Sequence, residues 1–239
     1  PLGAVGAGIV AVMVVMALFA PLIAPYDPYQ LYLGPRFQEP TAAHPFGIDN
    51  LGRDIFSRVI YGARVSLYVG ILSVLLGQTA GSLLGLLSGY FGGRTDAVLQ
   101  RFMDSLMSFP ALVLAMAIVA SLGQSINNVV VAIAVVEIPR AARVIRSSAL
   151  AVKEMQFVDA ARAVGASDWR VVFLHVLPQC VAPYLIIATA GLASAILVEA
   201  SLSFLGLGTP PPQPSWGAML SGAGRDYLER APWMAIYPG

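Results

Sequence analysis

The chain has 239 residues, 57% of them hydrophobic and 11% charged, with a formal net charge of +1; its mean hydropathy is +0.75. Soluble domains carry about 25% charged residues, so the composition is that of an all-α integral membrane protein, and the near-neutral balance leaves no electrostatic case for nucleic acid. Cys180 is the only cysteine, which excludes an internal disulfide, and the two histidines, His44 and His175, are far apart in sequence, so no zinc pattern is present.

Residues 1–24 are apolar and uncharged. They lack a basic leader and outrun a signal-peptide core. At roughly 20 residues per crossing, they predict a first membrane span whose cytoplasmic leader precedes Pro1. Pro25-Tyr26-Asp27-Pro28 ends it, because proline cannot continue a helix and biases its predecessor toward extended backbone. Residues 25–63 carry Asp27, Arg36, Glu39, Asp49, Arg53, Asp54 and Arg58 and predict a polar loop. No charge falls between Arg64 and Arg94, which places span two near 65–90.

Phe91-Gly92-Gly93-Arg94 predicts a tight turn, and residues 95–108 an amphipathic helix leading into span three, which ends near Ser121. Gly123 to Asn128 predicts a polar turn, followed by span four at about Val129–Leu150. A loop at 151–178 precedes span five at about Gln179–Phe204. Residues 205–231 predict a second polar loop, and a sixth span begins near Pro232 and is cut at the chain end. Trp233 and Tyr237 have the pattern of an interfacial aromatic pair at that span's mouth. With the N-terminus inside, basic residues divide eight inside to six outside, Arg225 among the latter.

Gly77, Gly81, Gly85 and Gly89 recur every four residues along span two. Lipid supplies no hydrophobic drive between helices, so such a stripe predicts close packing on another span, with a flexing surface as the alternative. Glu137 and Glu199 are the acids deepest in apolar context and are candidate pathway residues. Local exits compete with that role: an ion pair between Glu137 and Arg140, and access to water for Glu199. Arg140, Arg143 and Arg146 share a helix face, predicting guanidinium groups that snorkel to headgroups, or else contact a soluble partner. Pro210 to Pro214 predicts a stiff extended segment, either a rigid outer loop or a docking surface.

The 151–178 loop contains Asp159-Ala160-Ala161, then Gly165, then Leu177-Pro178. A small pair, a glycine that breaks a helix and a Leu-Pro predict a short helix, a turn and a second short helix. Lys153, the only lysine, is followed by Glu154, so no Walker A loop exists. No Gly-x-Ser-x-Gly or His-Glu-x-x-His occurs either. The residues alone fit two classes, a transporter subunit or a non-transporting membrane scaffold that recruits a soluble partner.

The loop's spacing resembles the EAA loop of ABC-importer permeases, with Asp159 in place of the usual Glu and His175 at an apolar position. Other stretches resemble one group of them, the second (C-type) permease subunit of dipeptide, oligopeptide and nickel importers. They are His44-Pro-Phe-Gly-Ile-Asp-Asn-Leu-Gly-Arg-Asp54, Arg58 to Leu67, Ser88 to Arg94, Glu199-Ala-Ser-Leu-Ser-Phe-Leu-Gly-Leu-Gly208, and Pro214 to Met219 through Asp226 and Trp233. Span four departs: Glu137-Ile138 stands where the group usually has an aromatic before the proline.

The resemblance implies a type I ABC-importer transmembrane domain, normally of six spans, five of them present here. The core would be 64–239, with 25–63 and 205–231 outside and 151–178 in the cytoplasm. It implies a bacterial or archaeal cytoplasmic membrane, a homologous permease subunit, two ATPase subunits that hold ATP and magnesium, and an extracytoplasmic binding protein. No cofactor and no metal would be bound by this chain, and it would not be an enzyme. Asp159, Ala160, Ala161 and Gly165 would build the coupling helix, with Leu177 and Pro178 closing the loop. The cargo implied is a di- or oligopeptide, with nickel or another small solute as the alternative.

Overall fold

The computed structural model describes residues 2–221 and 227–239. Arg225 and Asp226 lie outside the described residues. Among those described, regular structure is helical apart from one isolated bridge between Ile48 and Asp54. The chain forms two compact units, one of Pro1–Gly70, Val119–Val129 and Ile196–Gly239, the other of Ile71–Ile118 and Val130–Ala195.

In the first unit, the apolar N-terminal segment is two helices, α1 (Leu2–Leu18) and α2 (Ala20–Ile23), rather than one 24-residue span. Pro21 sits in the first turn of α2. It has no N–H to give the carbonyl of Ala17. The Arg64 guanidinium supplies donors instead, to Ala17 O and to Leu18 O at 3.2 Å.

The loop that follows is shorter than its charges suggest, because α3 (Ile55–Phe91) already begins at Ile55. Asp54 caps it: its Oδ2 accepts the Ser57 N–H at 2.7 Å, and its Oδ1 pairs with His44 Nδ1 at 2.9 Å. Asp49 builds the turn before it, accepting from Leu51 N, Arg53 N and Arg53 Nε.

A small core of Ile55, Val59, Ala231 and Met234 gathers Phe37, Phe46, Met219 and Trp233. Helix α10 (Trp216–Leu220) is tied down by Trp216 Nε1, which donates to Val59 O at 3.0 Å. The terminal helix α11 (Trp233–Ile236) belongs to the same cluster. Trp233 packs there, and Tyr237 stacks on Phe46 at 4.0 Å. The proline run is not extended either, since residues 211 and 212 form a turn.

In the second unit, the glycine stripe sets the packing. A Cβ on Gly77, Gly81 or Gly85 would collide with the carbonyl oxygen of Ala134, Ile138 or Ala142, and one on Gly89 would lie 2.7 Å from Arg146 O. These partners sit on α6 (Ile126–Lys153) and also advance by four. The helices therefore run parallel, backbone against backbone, and the chain must return between them. It returns through α4 (Gly93–Met107) and α5 (Ala111–Leu122), bent by 88° at the Ser108-Phe109-Pro110 break. At 12 residues, α5 is about 18 Å long, short of a roughly 30 Å hydrocarbon core.

Among the described residues, two helices are long and apolar enough to cross a membrane, Ile55–Phe91 and Asp168–Phe204, and the bent α4–α5 pair makes a third if it is one span. This differs from the five spans expected. Helix α1 has only 17 residues, and α6 carries Glu137, Arg140, Arg143, Arg146 and Lys153.

Candidate functional site

The segment after α6 starts with α7 (Gln156–Ala163). Its sequence puts Val158 and Ala161 on one face, both buried, and leaves Phe157, Asp159 and Ala160 outside. Asp159 pairs only with Arg162 on its own helix, at 3.3 Å. Gly165 ends α7 with φ +83, in the left-handed region that disfavours side chains. Gly165 N donates to Arg162 O and Ala166 N to Ala161 O, the paired closure of a glycine-capped helix end. The space where a Gly165 Cβ would stand is open, so backbone conformation alone demands the glycine.

After this turn the expected second short helix does not stop. Helix α8 (Asp168–Val171) leads through a wider-wound π segment (Val172–Val176) into α9 (Leu177–Phe204), continuous from Asp168. Pro178 therefore does not begin a new helix. The π turn just before it opens the winding where the proline ring would otherwise strike the preceding turn's carbonyl. Leu177 is half-buried and Pro178 exposed.

The loop is anchored on its inner side. Val158, Ala161, Val171, Val172 and Val176 share one core with Leu86, Tyr90, Ile145, Ala149, Val152 and Cys180. The Tyr90 hydroxyl donates to Asp168 Oδ1 at 2.8 Å, and the Arg162 guanidinium lies over the Tyr90 ring at 5.5 Å. On the outer side, Phe157, Ala160, Ala161, Val164, Gly165, Ala166, Arg170 and His175 line an open hollow of about 520 Å³. Val164, at its rim, is 85% exposed.

Two of the three α6 arginines, Arg143 and Arg146, do not reach out as predicted. Arg146 grips Asp96 of α4 with two hydrogen bonds, 2.6 Å from Nε and 2.5 Å from Nη2, and Arg143 pairs with Asp104 at 2.7 Å. Both α4 carboxylates are therefore engaged by α6. Sequence inspection paired neither, since partners 39 and 50 residues apart leave no local signal.

The two deep carboxylates have different settings. Glu199 is fully buried and does not reach water; it accepts from Ser203 at 2.7 Å and Ser66 at 3.2 Å. Its neighbours Ser203 and Gly208 pack so closely that no side chain fits at 208. Glu137 is buried too, and its partner is not Arg140 but Gln78, whose Nε2 donates to Oε2 at 2.8 Å. Glycine at 191 makes room, because a Cβ there would collide with Gln78 and come within 3.3 Å of Glu137. Sequence reasoning missed both Gln78 and Gly191. Among the described residues, no cluster of three or more His, Cys, Asp or Glu suited to a metal is present.

Comparison with known proteins places this arrangement. The family model described as binding-protein-dependent transport system inner membrane component matches residues 81–236, and that for the N-terminal TM domain of oligopeptide transport permease C matches 1–40. The chain is 42% identical over 238 residues to the dipeptide transport system permease protein of Alkalihalophilus pseudofirmus, covering 100% of this chain and 78% of that protein. It is 43% identical to the di/tripeptide transport system permease protein of Pseudomonas aeruginosa, covering 99% and 80%. It is 44% identical to the glutathione transport system permease protein of Pectobacterium atrosepticum, covering 98% and 78%. The chain belongs to the binding-protein-dependent transport system inner membrane component family, in its C-type group, and is a membrane-embedded permease subunit of an ABC importer.

Proposed function

We propose that this permease carries di- or oligopeptides inward across a bacterial or archaeal cytoplasmic membrane. It forms half of the pathway with a homologous permease, receives cargo from an extracytoplasmic binding protein, and is driven by two ATPase subunits that hold the ATP and magnesium. Relatives named for dipeptide, di/tripeptide and glutathione transport support peptides over nickel. Five crossings are proposed, by α1–α2, α3, the bent α4–α5, α6 and α9. The parallel course of α3 and α6 supports the count, because parallel spans need one crossing between them. The same count puts residues 25–54 and 205–231 outside and 151–178 in the cytoplasm.

The observation that carries the ATPase coupling is the hollow around Gly165. It is small-residue-lined on the outside and locked to the ends of α3 and α6 behind. Asp159, Ala160, Ala161 and Gly165 form a knob that an ATPase groove can close on, and Val171, Val172 and Val176 transmit its displacement into α9. Because α8 and α9 are one helix, the push needs no hinge at Leu177-Pro178. Of the two buried acids, Glu137 borders open space and is the one assigned to the pathway; Glu199 holds α9 to α3 within the first unit.

The test is affinity purification in detergent of the chain with its importer partners, followed by mass spectrometry. Wild type is expected to bring an ATPase with a Walker loop and a second permease. Ala160→Trp with Gly165→Val is expected to keep the permease and lose the ATPase. A stable preparation that brings no ATPase would support the scaffold alternative and overturn the coupling assignment.

A further inference from the structure

In the second unit, Glu137 and Arg140 open onto one hollow of about 480 Å³, which also takes in Ser194 of α9. Leu106, Met107, Phe109 and Leu114, around the α4–α5 bend, form its apolar wall. The volume is within the roughly 300–1,000 Å³ of small-molecule sites, and the lining has their usual character, mostly apolar with a few placed polar groups.

The charges here are held apart rather than paired. Of the three arginines on this face of α6, Arg143 and Arg146 each have a carboxylate partner, while Arg140 has none within 4 Å among the described residues. It is exposed to the hollow, one helical turn from Glu137. Glu137 is instead fixed from behind. Gln78 Nε2 reaches both Glu137 Oε2 at 2.8 Å and Ile187 O at 3.3 Å. Two acceptors at that nitrogen fix the amide's orientation, and Gln78 Oε1 is left buried without a partner. An orphaned buried acceptor forfeits the hydrogen bonds that water would give it. Together with the space cleared at Gly191, it marks a carboxylate held in place at a structural cost.

We propose that this hollow is a binding subsite for a zwitterionic peptide, with the Glu137 carboxylate taking the α-ammonium, Arg140 the α-carboxylate, and the apolar wall the side chains. The proposal rests on the reading of this chain as a peptide importer's permease. A guanidinium and a carboxyl group one helical turn apart, with no ion pair between them, match the two ends of a short peptide. Ser194 adds a hydroxyl to the same hollow, available to the peptide bond.

The experiment uses the complete importer. Uptake of labelled Ala-Ala with its binding protein in proteoliposomes first checks the parent reading, and no uptake by wild type would sink that reading itself. Equilibrium binding is then measured to the same importer in nanodiscs without binding protein, using Ala-Ala, N-acetyl-Ala-Ala and Ala-Ala-amide. Wild type is expected to bind Ala-Ala about tenfold more tightly than either blocked analogue. Glu137→Gln is expected to weaken Ala-Ala and Ala-Ala-amide about tenfold and to leave N-acetyl-Ala-Ala unchanged. Arg140→Gln, at an exposed position where misfolding is not expected, should show the mirror pattern. Absence of saturable binding in a wild type that imports Ala-Ala, or equal losses for all three ligands in both variants, would overturn the subsite.

Discussion

Single side chains in this permease do two jobs at once, and Asp54 shows it most plainly. One oxygen caps α3 and the other holds His44, so the carboxylate ties a loop to a helix start. Asp54→Ala removes the cap, worth about 1 kcal/mol, and strands the buried His44 nitrogen at about 1–3 kcal/mol. The expected outcome is a drop of several degrees in the thermal midpoint of the purified protein, with Asp54→Asn in between because its amide oxygen can still cap. An unchanged midpoint in Asp54→Ala would contradict this account of the loop. The residue scale was also where the sequence was most readable and most misleading. Gly165 was legible because a helix break between two apolar faces requires a positive φ, and one glycine stood there. Glu199 was misplaced because its burial depends on Ser66, which is 133 residues away. The Arg143 and Arg146 partners were invisible for the same reason.

At the scale of elements, α3 and α6 are joined by glycine steps rather than by interlocking large side chains. Where a missing Cβ lets backbone meet backbone, a new side chain cannot rotate away, because the obstacle is a carbonyl of the neighbouring helix. Gly85→Val is therefore expected to force the helices apart, with a cost at or above the 1–3 kcal/mol typical of overpacking, read as loss of monodisperse protein in detergent. Gly8→Val, with open space around it, is the control and should leave that yield unchanged. The four-residue period made this interface legible. The helix through Pro178 was not, because a proline normally ends a helix and nothing in the local sequence announces the π turn that accommodates it. The break after Leu18 was hidden likewise, since Arg64 satisfies the freed carbonyls from another helix.

For the whole molecule, the family followed from several motifs whose spacing holds along most of the chain, whereas the span count did not follow from hydropathy. Helix α6 is not apolar throughout because it carries Glu137, Arg140, Arg143, Arg146 and Lys153, and α5 is short because the chain bends before it. In the proposed coupling, an ATPase pushes the Gly165 knob, and the push reaches the spans through one continuous helix. The most direct measurement is simultaneous ATP hydrolysis and labelled Ala-Ala uptake by the complete importer in proteoliposomes, comparing wild type with Gly165→Val. A valine there costs about 1–2 kcal/mol in backbone strain and reshapes the knob without touching the buried core. The account predicts ATP-dependent uptake by wild type, and in the variant a loss of uptake of at least about tenfold, equivalent to roughly 1.4 kcal/mol of coupling, while hydrolysis per ATPase persists. Equal uptake per ATP hydrolysed in the two proteins would contradict it.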